Sequence, residues 1–437
     1  MVNFPRILYY LAKALKRAYW SRDKTRRYQD KRLRSVVKYA YNFVPFYHEK
    51  FRIAGVIPSD IKTLEDLAKL PIVRKDEMIN EEPQRLVSME FDINRLKVAT
   101  TSGSTGHPFA TYLSNAEYEW RKAIYMRANI SCGQKLRDRW VVITNPQHFS
   151  YTTNIQRRLR VFAQNCISLF SNVDEQIRLV NEAKPDVLDG YSGSLVLLAK
   201  EVDRRGLKTI RPRIIFGNAD LMDIASCQFL ERVFKAPYYD QFGCAEVDRT
   251  AWQCPEKVGY HMDVDSVLMQ FVDDEGNEVS TGEKGEIVYT SLFNYAMPFI
   301  RYATRDIGRP SDEECPCGRK SPLMKIVEGR KDSLLFLPGG RLLSPMTFRI
   351  AVSKFYEKIM QYRVVQKKLD LFEIYIRKND NSIDEKVMET ELVSHIKRVL
   401  DVENEITLET KFVEDIPVDK SGKLRAVISE LKPNSHS

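Results

Sequence analysis

The sequence predicts an α/β protein built as a large N-terminal part with a mixed sheet covered by helices, followed by a smaller α+β unit. Three observations predict it. Apolar strand-like runs alternate with helix-period segments between residues 97 and 218. The pattern then turns rich in β-type residues and short turns from 260 to 310, and a fresh helix–strand series begins after Arg330. At 437 residues the chain is long enough for two or more domains.

Taken in order, Phe4, Ile7, Leu8, Leu11 and Leu15 recur at helical spacing, with Lys13, Lys16 and Arg17 on other faces. Residues 26–43 read as a second helix, which "NFVPFYHEKF" (42–51) breaks at Pro45. "TLEDLAKLPIVRKDEM" (63–78) reads as a short helix, a proline turn and a helix start, and "RLKVAT" as a strand. "RWVVIT" (139–144), "DVLDGY" (186–191) and "RIIFGN" (213–218) read as strands, with "QIRLVNEAK" (176–184) and "SLVLLAKEVDRRG" (194–206) as helices between them. Beyond 330 come "LLFLPGG", a helix near 346–358, the strands "YRVVQKK" and "LFEIYIRK", a helix at 384–400 and the strand "EITLETKFV". These give three segments: a basic helical segment 1–43, a core 44–330 and a C-terminal domain 331–437, with the boundary near Gly329–Asp332.

Bulk properties narrow the function. Hydrophobic residues make up 43% and charged residues 29%, ordinary for a folded soluble protein. No apolar run is long enough to span a bilayer, and no secretory signal pattern opens the chain, so a cytoplasmic location is expected. The net charge of +9 is local: residues 1–43 hold 12 Lys/Arg against two Asp, whereas the remainder carries 56 basic and 57 acidic residues. That basic helix suits peripheral contact with an anionic membrane, or simple docking on the body with its charges solvated. No nucleic-acid-binding module is recognisable, so no nucleic-acid partner is expected.

"TTSGSTGHPF" (100–109) packs two glycines and five hydroxyl side chains into ten residues. Glycine lets backbone amides turn toward an anion, and Ser or Thr hydroxyls add donors without crowding it. A flexible surface turn is the alternative. Four further stretches follow in order: "YYDQFGCAEVD" (238–248) with Glu246, "FIRYATRDIGRP" (299–310) with Asp306, "VEGRKDSLLF" (327–336), and "IPVDKSGKLR" (416–425) with Lys423.

With these five motifs in this order, the sequence resembles the adenylate-forming (ANL) superfamily of acyl-CoA synthetases. Within it, the resemblance is closer to the phenylacetate–CoA ligase-like branch, which includes capsular polysaccharide biosynthesis proteins. The resemblance runs from "VPFYHEKF" to "SGKLR". It implies an ANL-type fold with a mobile C-terminal lid, and magnesium-dependent adenylation of a carboxylic acid by ATP. Acyl transfer to coenzyme A, releasing AMP and pyrophosphate, would follow. Ser102, Gly103, Ser104, Thr105 and Gly106 would cradle the β- and γ-phosphates, Thr105 also serving catalysis. Glu246 would ligate magnesium, and Asp306 would accept hydrogen bonds from the ribose. Asn218 and Asp220, with Tyr239, Gln241, Phe242 and Gly243, would form the adenine pocket. Arg330 would contact phosphate or ribose, Asp332 would be the hinge, and Lys423 would stabilise charge on the reacting carboxylate and α-phosphate. His148, Phe149, Tyr151 and Tyr191 fall where such enzymes bind the acid, and their rings favour an aryl or aryl-acetic substrate.

Two departures mark the sequence: Phe109 follows Pro108 where superfamily loops commonly carry lysine, and Cys244-Ala245 precede Glu246 where many relatives have threonine. Cys254 and His261 with Cys315 and Cys317 offer a Cys₃His donor set suited to structural zinc, and some members of the branch bind zinc in this way. Free thiols and a surface histidine are the alternative. Other acceptors are an amine, a carrier protein or a sugar in surface-polysaccharide assembly, and a catalysis-free nucleotide-binding scaffold is a third reading.

Overall fold

A computed structural model describes residues 3–100, 109–150, 152–330, 333–380, 382–402, 405–419 and 422–431, without the side chains of residues 155, 326–328 and 330. Its contacts divide the chain into two compact units, Met1–Gly133 with Tyr239–Val327 and Gln134–Tyr238 with Glu328–Ser437.

The first unit opens with the helix Phe4–Arg17, capped by Asn3, whose Oδ1 accepts the N–H of Arg6 at 3.1 Å. Ile7, Leu11 and Ala14 are buried, while Leu8 and Tyr9 stay exposed. This apolar face packs on the helix Asn115–Ser131, where the Tyr10 ring meets Trp120 edge-on at 5.5 Å. Glu119, fully buried, accepts the N–H of Asn3 at 2.6 Å and the Arg6 guanidinium. A second helix, Arg22–Phe43, ends at Val44 because Pro45 opens the next helix, Pro45–Ile53. The unit's sheet runs, in spatial order, through Val267–Val272, Gly285–Ser291, Tyr302–Ser311, Leu323–Arg330, Tyr260–Met262, Asp248–Gln253 and Tyr238–Cys244. Its core gathers Val36, Ala40, Tyr47, Phe299, Ile300 and Tyr302. A buried ionic network lies apart from that core. Arg127 donates to Asp265 Oδ1 (2.8 Å), Asp263 Oδ1 (2.5 Å) and the Ala14 carbonyl (3.2 Å), and Arg249 pairs with Asp263 at 3.3 Å.

In the second unit, the strands Ile214–Asn218, Val187–Tyr191, Trp140–Thr144 and Gln164–Ser168 lie side by side in parallel. The strands at 140–144 and 187–191 are buried along their whole length, which is why they read as nearly unbroken apolar runs. The helices Val173–Ala183, Ser192–Arg204 and Ile224–Phe234 cover them. The remaining elements form a four-stranded sheet ordered Thr407–Phe412, Leu371–Lys378, Ile359–Gln366, Val427–Ser429, with the helices Pro345–Ser353 and Glu385–Leu400. Each sheet has its own core, one around Ile143, Leu188, Leu195 and Leu230, the other around Phe348, Phe372, Ile374 and Leu392. Tyr356 and Val418 pack against the first of these cores. Among the described residues no helix is long and apolar enough to cross a membrane.

Candidate functional site

The parallel strands of the second unit present their carboxyl ends at Thr144, Ser168, Tyr191 and Asn218, the edge where α/β sheets hold ligands. Asp220 lies two residues past the last of them. Its Oδ2 accepts the N–H of Gly193 at 3.2 Å, in the first turn of the helix Ser192–Arg204. Asn218 donates its amide to Asp189 Oδ1 (3.3 Å), and Trp140 Nε1 donates to Asp189 Oδ2 (3.2 Å). Asp189 is wholly buried at this edge, a residue the sequence reading does not single out. Its signal was an acid inside the apolar run "VLDGY", where an unpartnered carboxylate would be costly.

The Lys423 turn is seated at this edge. Asp419 Oδ1 accepts the N–H of Lys423 at 3.0 Å, and the Gly422 N–H donates to the Asp419 carbonyl at 2.8 Å. Gly422 takes φ +85°, and a Cβ there would stand 2.5 Å from Leu169 Cδ1, so the close turn requires glycine. Leu424 approaches Gly193. Burial pushes the Asp220 carboxyl above its ordinary value, against the pull of Lys423 and then Arg349. Burial, with Asp220 adding to it, pushes the Tyr191 hydroxyl up to about 12. The structure therefore brings Lys423, Asp220 and Tyr191 together. His148 and Phe149 lie exposed on the turn after Thr144, Phe149 at 42%.

The first unit carries the second set of groups. Glu246 sits, 5% exposed, in the hairpin turn between Tyr238–Cys244 and Asp248–Gln253. Its Oε1 accepts the Tyr302 hydroxyl at 3.0 Å, and Lys75 Nζ stands 3.4 Å from the same oxygen. Arg121 holds the turn by donating to the carbonyls of Ala245 and Glu246. Lys75 also lies 5.8 Å from the Phe109 ring centroid. It was invisible in the sequence, one cation among the charges of "VRKDEM". A bulge between Phe242 and Gly243 shapes the hairpin, and a Cβ at Gly243 would collide with the Asp248 carbonyl at 2.2 Å. Tyr239 and Gln241 are buried, Gln241 donating to Asn129 at 2.8 Å. Asp306 is half-buried on the strand Tyr302–Ser311, close enough to Cys244 and Tyr289 to raise both. Burial is the main cause of both shifts, which favours the neutral thiol at Cys244 beside Glu246. Ser102 to Gly106, Tyr151 and Asp332 lie outside the described residues, as does the side chain of Arg330.

Cys254, His261, Cys315 and Cys317 converge, their ligand atoms all within 4.8 Å of one another. Cys254 and Cys315 sulfurs lie 3.5 Å apart, and Cys317 Sγ lies 3.3 Å from His261 Nε2. Such separations suit a tetrahedron with bonds of about 2.0–2.3 Å. Ser321 Oγ meets His261 Nδ1 at 3.0 Å, leaving Nε2 as the ligand atom.

Residues 335–430 match the CapK C-terminal domain. The chain is similar to the phenylacetate–coenzyme A ligase of Pseudomonas putida, 26% identical over 377 residues covering 82% of this chain and 80% of that one. It is also similar to the phenylacetate–coenzyme A ligase of Thermus thermophilus, 24% identical over 442 residues covering 94% and 98%. Among solved structures, 2-hydroxyisobutyryl-CoA ligase in the postadenylation state with 2-HIB-AMP aligns with a TM-score of 0.81. That match spans 95% of this chain and 91% of the other at 19% identity. The fold is that of the adenylate-forming CoA ligases, and the resemblance to the phenylacetate–CoA ligase-like branch holds.

Proposed function

We propose that this protein is an AMP-forming acid–thiol ligase that adenylates a small carboxylic acid with ATP and passes the acyl group to coenzyme A. The observation that carries the reading is the seating of Lys423 beside Asp220 and Tyr191 at the carboxyl edge of the parallel strands. A carboxylate attacking the α-phosphorus accumulates negative charge, and a lysine delivered there offsets it. Ser102 to Gly106 hold the outer phosphates through backbone amides and hydroxyls, Asp306 takes the ribose hydroxyls, and Arg330 the phosphate or ribose. Asn218, Asp220 and the Tyr239–Gly243 strand receive the adenine, with Asp332 as hinge of a lid spanning 331–437.

Glu246 suits magnesium: it is a buried carboxylate, and bound magnesium would neutralise phosphate charge. Lys75, beside the same oxygen and near Phe109, supplies a cation where the loop itself has none. The donor set Cys254, His261, Cys315 and Cys317 fits zinc as a structural clip with no position left for substrate. Metal analysis of purified protein would return about one zinc per chain; a folded, zinc-free sample would refute the clip. Tyr191, His148, Phe149 and Tyr151 favour an aryl or aryl-acetic acid. The protein works in the cytoplasm, with Leu8 and Tyr9 and the lysines of the first helix available for peripheral membrane contact.

The match of residues 335–430 to the CapK C-terminal domain favours a second reading, in which the acceptor is an amine, carrier or sugar in surface-polysaccharide assembly. One assay separates the readings: pyrophosphate release over a panel of aryl and aliphatic acids, with and without coenzyme A. The ligase reading expects release with at least one acid and a thioester only with coenzyme A. Release without any thioester supports the other acceptor, and silence across the panel supports a scaffold.

A further inference from the structure

From the C-terminal part of the second unit, Tyr356 and Val418 pack on the core of the parallel sheet, and Gly422 and Leu424 approach Leu169 and Gly193. Polar groups join that contact. Lys200, on the helix Ser192–Arg204 and only 6% exposed, donates to the Ile359 carbonyl at 2.5 Å. Its Nζ stands 3.9 Å from the centroid of the Tyr356 ring. Arg349, on the helix Pro345–Ser353, lies 4.0 Å from Asp223 Oδ2. Asp223 itself caps the helix Ile224–Phe234, accepting both the N–H and the hydroxyl of Ser226 at 2.8 Å. Arg349 is also one of the two cations acting on Asp220.

Resting on the ligase reading above, we propose that Lys200 and Arg349 are positioning residues. Together they form a polar latch holding residues 335–430 on the parallel sheet in the arrangement that presents Lys423 for adenylation. Polar groups share this contact with a few apolar side chains, the kind of interface at which domains part. The burial of an ammonium without a carboxylate at hydrogen-bond distance makes the docked state specific without making it tight. Because Arg349 and Lys423 both act on Asp220, release of the latch withdraws two positive charges from the adenylation centre in one movement.

Proton linkage supports this. Burial holds the Lys200 amine down to about 7 from an ordinary 10.5, with Asp223 pulling the other way. The Tyr356 ring lies against the amine, and Arg349, Tyr356 and Tyr362 in turn interact with Asp223. Undocking returns the amine to water and its ordinary value. Docking therefore expels a proton between these values and strengthens as pH rises above about 7.

The test uses the full chain as native protein, Lys200→Met and Arg349→Gln, with two readouts. Without substrates, amide hydrogen exchange is followed across Ser192–Arg204 and Ile224–Phe234. With substrates, pyrophosphate release and capture of a supplied acyl-adenylate by coenzyme A are timed separately. Both variants should exchange faster in these helices and lose about five- to tenfold in pyrophosphate release, with capture unchanged or faster. In native protein, adenylation should gain on capture from pH 7 toward 9, and Lys200→Met should lose that dependence. Unaltered exchange in both variants overturns the latch, as does an equal loss of both half-reactions. If Lys200→Met does not fold, Arg349→Gln decides alone on the same two readouts. Exchange that responds as expected in a protein adenylating no acid would sink the ligase reading and leave the docking contact standing.

Discussion

Two buried cations, one in each unit, show how neighbours decide what burial does. Arg127 is 3% exposed and Lys200 is 6% exposed. Burial lowers the pKa of both. For Arg127 the charges and hydrogen bonds of Asp265 and Asp263 more than reverse this, and the guanidinium is held above its ordinary value. For Lys200 a carbonyl, a ring and the pull of Asp223 fall short of offsetting it, and the amine falls to about 7. A cation gripped by two carboxylates belongs to permanent architecture. One leaning on a carbonyl belongs to a contact that opens.

The contrast can be broken by substitution. Arg127→Met takes the nearest cation from two buried carboxylates, leaving Asp263 to Arg249 at 3.3 Å and Asp265 to Arg17 at 3.7 Å, and unfolding in urea should show a loss of about 3 kcal/mol. If it proves no worse than a surface change, the network is not architectural. Lys423→Ala, on the half-buried turn, should leave unfolding unchanged and cut acid-dependent pyrophosphate release by about a hundredfold or more. Capture of a supplied acyl-adenylate should survive, and equal loss of both half-reactions would contradict the assigned role. Lys200→Met should lower unfolding stability by under about 1 kcal/mol, because the cost of burying the amine goes with its hydrogen bond. A loss as large as that of Arg127→Met would erase the distinction. Arg178→Ala sets the floor: its pair with Glu182 at 2.8 Å is exposed on both sides and should register below about 0.5 kcal/mol.

Much of the second unit was legible because local pattern and burial agree there. "LFEIYIRK" is the strand Leu371–Lys378, and residues 384–400 became the helix Glu385–Leu400 behind its Asp384 cap. The strand Gln164–Ser168 escaped notice because "QNCIS" has neither an apolar run nor alternation; it is placed by parallel pairing with Trp140–Thr144. The helix Asn115–Ser131 also went unread, since it buries Glu117, Glu119, Arg121 and Arg127 among its apolar residues and shows no clean stripe. The four zinc-type donors could be chosen from their chemistry alone, though 61 residues separate Cys254 from Cys315. Lys75 and Asp189 could not, because each takes its meaning from a partner far along the chain: Glu246 for one, Trp140 and Asn218 for the other. Grouping of residues 134–238 with 328–437 is likewise a property of packing that no local pattern encodes.

The grip of Glu119 on Asn3 and Arg6 has a practical side. A sample clipped beyond residue 6 would lose both partners of an acid that is fully buried in the intact chain. Such material would turn over normally when fresh and fade on the shelf, so batch age could pass for a kinetic defect.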